Sequence, residues 1–169
     1  MKIVINAGHT KVNPGTGAVG ELVESIETRK IAYELMSLLV DTKHEIIPAV
    51  YDRSTNNFKE AVDLSNSKNA DYFISIHLNA GGGTGCEVYT WQGNKLAIAD
   101  EICKNISKSI GIRNRGVKDG SKLYVIKNTK CPAILVEACF VDNLEDVCKY
   151  NARNIALAIY NSIVKVYGK

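Results

Sequence analysis

The chain carries three histidines, and two of them close apolar runs. Residues 72–76, YFISI, are bounded by turn-forming residues and read as a buried strand that delivers His77. Asn79 and a Gly81-Gly82-Gly83 loop follow directly. Residues 2–6, KIVIN, read as a second such strand and lead through Ala7-Gly8 to His9. A third run, AILV at 133–136, ends on Glu137. In open α/β sheets, ligands gather beyond the carboxyl ends of the strands, so parallel neighbours would bring His9, His77 and Glu137 to one edge. Two neutral imidazoles and a carboxylate make a zinc set of the catalytic kind, with a fourth position left for water. Such an ion lowers the pKa of its water to about 7 and polarises a carbonyl, while a carboxylate outside the ligand set can carry the proton to a leaving group. Any one of these side chains alone has a plain structural explanation. A lone histidine can be bonded to a neighbour, and a buried acid can be paired with Arg or Lys. His44, at the polar entrance of another strand, reads as a surface residue.

The elements that must position these groups follow from periodicity. A helical pattern runs from Glu21 to Val40, with Ile31, Leu35, Leu38 and Leu39 on one stripe. At about 100° per residue, Glu24 lies about 20° from Ile31 and within that stripe, Glu21 about 80° away, and Glu27 about 40° to the other side. A carboxylate on a buried face is costly unless a cation meets it; if the first turns stand off the core, Glu24 is solvated. The helix after the first strand would return Glu24 toward His9. Residues 44–51 (HEIIPAVY) suggest a strand, at an edge or irregular because of Pro48. A helix from Asn56 to Lys68 precedes the His77 strand. Beyond the glycines come a strand CEVYTW, a helix from Lys95 to Ser109, a basic loop from Gly111 to Gly120, and a strand LYVI at 123–126. The strand PAILVEACF at 132–140 and a last helix opened near Asp142-Asn143 complete the chain. Strands and helices alternate, which points to an α/β layered sheet.

At 169 residues this is one domain's length, with 46% hydrophobic and 23% charged residues. A net charge of +3 is too small to argue for nucleic acid. No apolar stretch is long enough for a membrane span, and the start MKIVINAGH lacks the apolar core and cleavage site of a signal peptide. Five cysteines, odd in number and without a CxxC pair, argue against a disulfide scaffold or a thiolate zinc cluster, so they read as buried structural thiols. The stretch GGGTG has no following Lys-Ser/Thr and so does not make a phosphate loop.

INAGH at the start, VESIETRKIAYEL, ADYFISIHLNA, and RNRGVKDGSKLYVIKNTKCPAILVEACFVDN together resemble the zinc-dependent N-acetylmuramoyl-L-alanine amidases of bacterial autolysins and bacteriophage endolysins. The resemblance covers nearly the whole chain. It implies a single catalytic domain over residues 1–169, with a twisted, mostly parallel mixed sheet of about six strands and helices on both faces. It also implies that His9, Glu24 and His77 hold zinc and that Glu137 is the catalytic acid/base. The pattern departs at Thr10, where the family often has a second glycine, at Ala138-Cys139 after the Glu, and near Ala61, where an Arg is common.

By that resemblance the expected reaction is hydrolysis of the amide joining N-acetylmuramic acid to the first L-alanine of the stem peptide. A zinc peptidase cutting within the stem peptide and a non-catalytic wall-binding module are the rivals. The expected partner is bacterial peptidoglycan, without nucleic acid or membrane insertion, acted on by a monomer. The enzyme would be made in the cytoplasm without a visible signal peptide and act on the wall after release. The Gly81–Gly83 loop and the Arg113–Lys122 segment are candidates to border the substrate groove.

Overall fold

The computed structural model describes residues 1–12, 15–94 and 96–169. Six strands form one sheet: β1 (Lys2–Ala7), β2 (Glu45–Ala49), β3 (Tyr72–Asn79), β4 (Cys86–Thr90), β5 (Asn114–Asp119) and β6 (Ala133–Phe140). Their order is β2-β1-β3-β6-β4-β5. The run from β2 to β6 is parallel, β4 lies antiparallel to β6, and β5 is parallel to β4. This is the expected mostly parallel α/β sheet.

Alternation along the strands splits the core into two layers. On β6, Ile134, Val136 and Ala138 face one layer, while Ala133 and Leu135 face the other, which is also the side of Glu137. The larger layer packs the sheet against α1 (Glu24–Leu39), α3 (Ala97–Ile110) and α6 (Ala152–Tyr167). Ile31, Leu35 and Leu39 of α1 are fully buried there, each adding about 1.5–3 kcal/mol of transfer free energy before entropy is counted. The smaller layer lies under α2 (Asn57–Ser67) and α4 (Tyr124–Asn128), with Val4, Phe73 and Leu135 at its centre. Having less cover, that face leaves room beside the strand ends.

Several expectations are corrected. The basic stretch at 111–120 is no plain loop, because residues 114–119 form β5. The sequence hides this strand: NRGVKD has a single large apolar side chain, as an edge strand can tolerate. LYVI is no strand either. Residues 124–128 form the short helix α4, a confusion that a brief apolar run invites, since periodicity does not separate the two forms. The sheet therefore has the expected six strands with one member exchanged. Asn143 caps a separate short helix, α5 (Leu144–Lys149), by accepting from the Asp146 amide, and Asn151 caps α6 in the same way through Asn154. His44 is buried, its Nε2 3.0 Å from the Gly168 carbonyl oxygen, because the chain's end folds over it. Cys86, Cys103 and Cys139 are buried thiols as expected, but Cys131 is half-buried and Cys148 exposed. The expected helix start at Lys95 lies outside the described residues. Among the described residues, no helix is long and apolar enough to cross a membrane.

Candidate active site

β1, β3 and β6 are neighbours and parallel, so their carboxyl ends share one edge. β3 places His77 in register with Glu137 of β6, and β1 ends one residue before Gly8-His9. Glu24 is the first residue of α1 and is 3% exposed, so the face that the helical wheel assigned to it is indeed buried. The cluster closes through that carboxylate. Glu24 Oε2 lies 3.2 Å from His9 Nε2, and Oε1 lies 3.0 Å from His77 Nδ1. Backbone amides anchor both oxygens: Ala18 N–H donates to Oε2 at 2.7 Å and Leu78 N–H to Oε1 at 3.1 Å. Burial alone would raise the pKa of Glu24, but the hydrogen bonds and charges of His77 and His9 hold it well below the usual carboxylate range. Burial pushes the His77 pKa down, which favours the neutral imidazole that a metal requires.

One ligand atom from each of His9, Glu24 and His77 lies within 4.8 Å of the others, so the three could hold a metal ion. The donor set fits zinc. Two imidazole nitrogens and one carboxylate oxygen, with a fourth position left open, are a set that catalytic zinc takes.

The backbone at this cluster is strained and braced. His9 has φ 64°, a left-handed conformation that costs a bulky residue about 1–3 kcal/mol. Gly8 N–H donates to the Ile76 carbonyl at 2.9 Å, Thr28 Oγ1 donates to the Gly8 carbonyl at 3.0 Å, and Arg29 Nη2 donates to the His9 carbonyl at 3.2 Å. Arg29 is itself held by the Ser25 and Tyr51 carbonyls, both at 2.6 Å, and by Asp52 at 3.1 Å. Two glycines give the rings room. A Cβ on Gly8 would lie 2.3 Å from the His77 ring, and one on Gly17, whose φ is +74°, would lie 2.5 Å from Glu24 Oε2. Phe58 of α2 meets His9 edge-on at 5.6 Å and stacks on His77 at 6.0 Å.

Glu137 is a different kind of carboxyl. Its Oε2 is buried and has no hydrogen-bond partner among the described residues, so the Arg or Lys pairing that would make it structural is missing. Burial pushes its pKa up to about 8, and the negative charges of Glu24 and Glu87 add to the rise. A cavity of about 170 Å³ opens beside it, lined by Phe58, His77, Leu123, Tyr124, Val125 and Leu135. Larger surface hollows of about 450 and 700 Å³ have no histidine in their walls. Here chemistry outweighs size.

The structure thus brings together all four residues singled out in the sequence. Sequence reasoning missed Arg29, Phe58 and a group on the far side of Glu137. Glu87 of β4 stands in register with Glu137 and is 2% exposed. It accepts hydrogen bonds from Asn79 Nδ2 at 2.8 Å, the Tyr89 hydroxyl at 2.9 Å and Arg115 Nε at 2.7 Å. Burial would raise the Glu87 pKa, yet Arg115 and Tyr89 hold it below the ordinary value. The available signal was an acid in a strand of otherwise apolar or neutral residues, CEVYT. Of the proposed groove borders, the glycine loop is tied down, its Gly81 and Gly82 amides donating to Asp142 at 2.8 and 3.0 Å.

Comparison with known proteins points to one family. A family model described as N-acetylmuramoyl-L-alanine amidase matches residues 3–166. An uncharacterized protein of Clostridium perfringens is 36% identical over 163 residues, covering 90% of this chain and 48% of its own length. The N-acetylmuramoyl-L-alanine amidase CwlM of Bacillus licheniformis is 32% identical over 177 residues, covering 99% of this chain and 69% of its own length. Among solved structures, the catalytic domain of the amidase CwlV from Bacillus (Paenibacillus) polymyxa var. colistinus matches with a TM-score of 0.85 at 26% identity, covering 97% of this chain and 96% of that one. The chain spans about half the length of two Clostridium perfringens relatives it matches, 48% and 49%.

Proposed function

The chain belongs to the N-acetylmuramoyl-L-alanine amidase family, and from that premise we propose that it is a peptidoglycan hydrolase. Residues 1–169 form its catalytic domain, and it cleaves the amide between the lactyl group of N-acetylmuramic acid and the first L-alanine of the stem peptide. It acts on the bacterial cell wall. The observation that carries this reading is the buried Glu137 carboxyl, unpaired at Oε2 and in register with His77 of the His9–Glu24–His77 cluster.

His9, Glu24 and His77 would hold zinc, which when bound supplies a Lewis acid for the amide carbonyl and an acidified water. Glu24 is kept ionised by its histidine neighbours and aimed by two backbone amides. Arg29 and Thr28 fix the strained turn that presents His9. Glu137 takes a proton from the attacking water as the water oxygen bonds to the amide carbon. When the carbon–nitrogen bond breaks, Glu137 returns that proton to nitrogen, which leaves as the amine of L-alanine, and the new lactyl carboxyl gives up the second water proton to solvent and is left as a carboxylate. Burial raises the basicity of this carboxyl, so in its ionised form it takes the water proton and in its protonated form it holds that proton for the leaving nitrogen.

The test is digestion of purified peptidoglycan by zinc-loaded protein, with mass analysis of the products. New free L-alanine amines and intact lactyl carboxylates are expected. New termini within the stem peptide would make the protein a peptidase, and binding without released fragments would make it a wall-binding module.

A further inference from the structure

Beyond Glu137 the sheet continues into a charged pair that the reaction above leaves unused. Glu87 and Glu137 are cross-strand partners and share a face. Glu87 is saturated: Oε1 accepts from Asn79 and Tyr89, and Oε2 accepts from Arg115. It is therefore no second base. What it does is hold Arg115.

Arg115 is anchored at two points and open at a third. Its Nε donates to Glu87, and its guanidinium carbon lies 5.1 Å from the ring centroid of Phe140 on β6. Its side chain is 30% exposed, and among the described residues nothing engages its two terminal nitrogens. A buried carboxylate and an aromatic face thus fix a planar cation, with its forked donor edge left free. That arrangement suits bidentate capture of a carboxylate.

The distances match a peptide leaving the site. Strands lie about 4.8 Å apart, so β5 is about 10 Å from β6, and the Arg115 side chain leans back over β4 to shorten the gap. An extended peptide advances about 3.3–3.6 Å per residue, so a carboxylate at the far end of the second residue beyond the scissile amide falls about 7 Å out.

We infer that Arg115, positioned by Glu87, is a specificity residue that binds a carboxylate on the second residue of the stem peptide, on the leaving side of the scissile bond. The inference rests on the amidase reading above and adds to it the charge of the preferred substrate.

The experiment compares two muropeptides that differ only at the second stem residue, one with a free carboxylate there and one with its amide. The ratio of kcat/KM between them is measured for wild type, Arg115→Gln and Arg115→Lys, each zinc-loaded. Wild type is expected to favour the free acid by about tenfold, the worth of one partly solvated charge-assisted hydrogen bond. Arg115→Gln should bring the ratio close to one. Arg115→Lys keeps a cation beside Glu87 should the glutamine variant fail to fold, and it should retain a reduced preference because it lacks the fork. Equal turnover of both substrates by wild type overturns the inference, as does an unaltered ratio in folded Arg115→Gln, or in Arg115→Lys if only that variant folds. If wild type releases no alanine amine from either muropeptide, the amidase reading itself fails, a result distinct from equal cleavage of both.

Discussion

Glu24, at the start of α1, and Glu137, on β6, meet at the same end of the sheet and are both largely buried, yet their surroundings push them in opposite directions. Glu24 is enclosed by two imidazoles and two backbone amides, and its pKa falls. Glu137 has an apolar wall, a lone Oε2 and two acidic neighbours, and its pKa rises to about 8. Divergent pKa values among adjacent acids suit the roles proposed above, with Glu24 ionised to hold a cation and Glu137 able to exchange a proton. Glu87, one strand further on, shows what a structural acid looks like here, with three donors on its two oxygens. Burial is common to all three carboxyls, and partners decide what each can do.

That contrast can be broken from either side, most severely at the histidine cluster. His77→Ala removes a ligand, and zinc content measured by elemental analysis should drop to background. Wall hydrolysis should fall at least about 10³-fold, since a bound Lewis acid contributes several kcal/mol at the transition state. A zinc-replete His77→Ala protein would refute the ligand assignment. Gly17→Ala drives a Cβ to 2.5 Å from Glu24 Oε2 at a φ of +74°, and should weaken zinc affinity by about 10–100-fold, read by competition with a chelator. Unchanged affinity would mean that the Gly17 loop yields freely.

The brace behind His9 should matter less to chemistry and more to stability. Arg29→Met leaves the His9 and Tyr51 carbonyls without the guanidinium that they accept from, takes one donor from Ser25, and should cost about 2–4 kcal/mol in denaturant unfolding. A loss under about 0.5 kcal/mol, the range of an ordinary surface change, would show that the strained turn stands without it.

A further effect lies in the pH dependence of the metal-free protein. Glu137 has its folded pKa raised from 4.5 to about 8, so the folded state binds the extra proton, and its contribution to stability falls as pH rises through that window. Glu24 has the opposite sign: its depressed pKa gives stability that is present above 4.5 and lost as pH falls toward the folded value. The Tm advantage of Glu137→Gln over wild type should therefore grow between about pH 5 and about pH 8. A flat difference would mean that Glu137 is not held protonated.

Much of this was legible in the sequence, for physical reasons that differ by residue. His9, His77 and Glu137 announced themselves because each ends an apolar run, and parallel strands bring such ends together. Helix geometry placed Glu24 on the apolar stripe but left it open to solvation there, and the family resemblance made it a ligand. Arg29 was not legible: the acceptors it braces at His9 and Tyr51 are 20 and 22 residues away in the chain. Nor was Glu87, whose meaning depends on β4 pairing antiparallel with β6 and on β5, a strand too polar to show itself. Local patterns revealed which groups could react, and the groups that hold them in place emerged only from strand pairing.

The most direct test is Glu137→Gln, assayed for zinc content and wall hydrolysis in the same preparation. One zinc per chain should be retained while turnover falls by about 10²–10⁴-fold, the usual worth of a positioned acid–base group. Turnover at the wild-type rate in the folded, zinc-loaded variant would remove Glu137 from the proton path and contradict the division of labour between the two carboxyls.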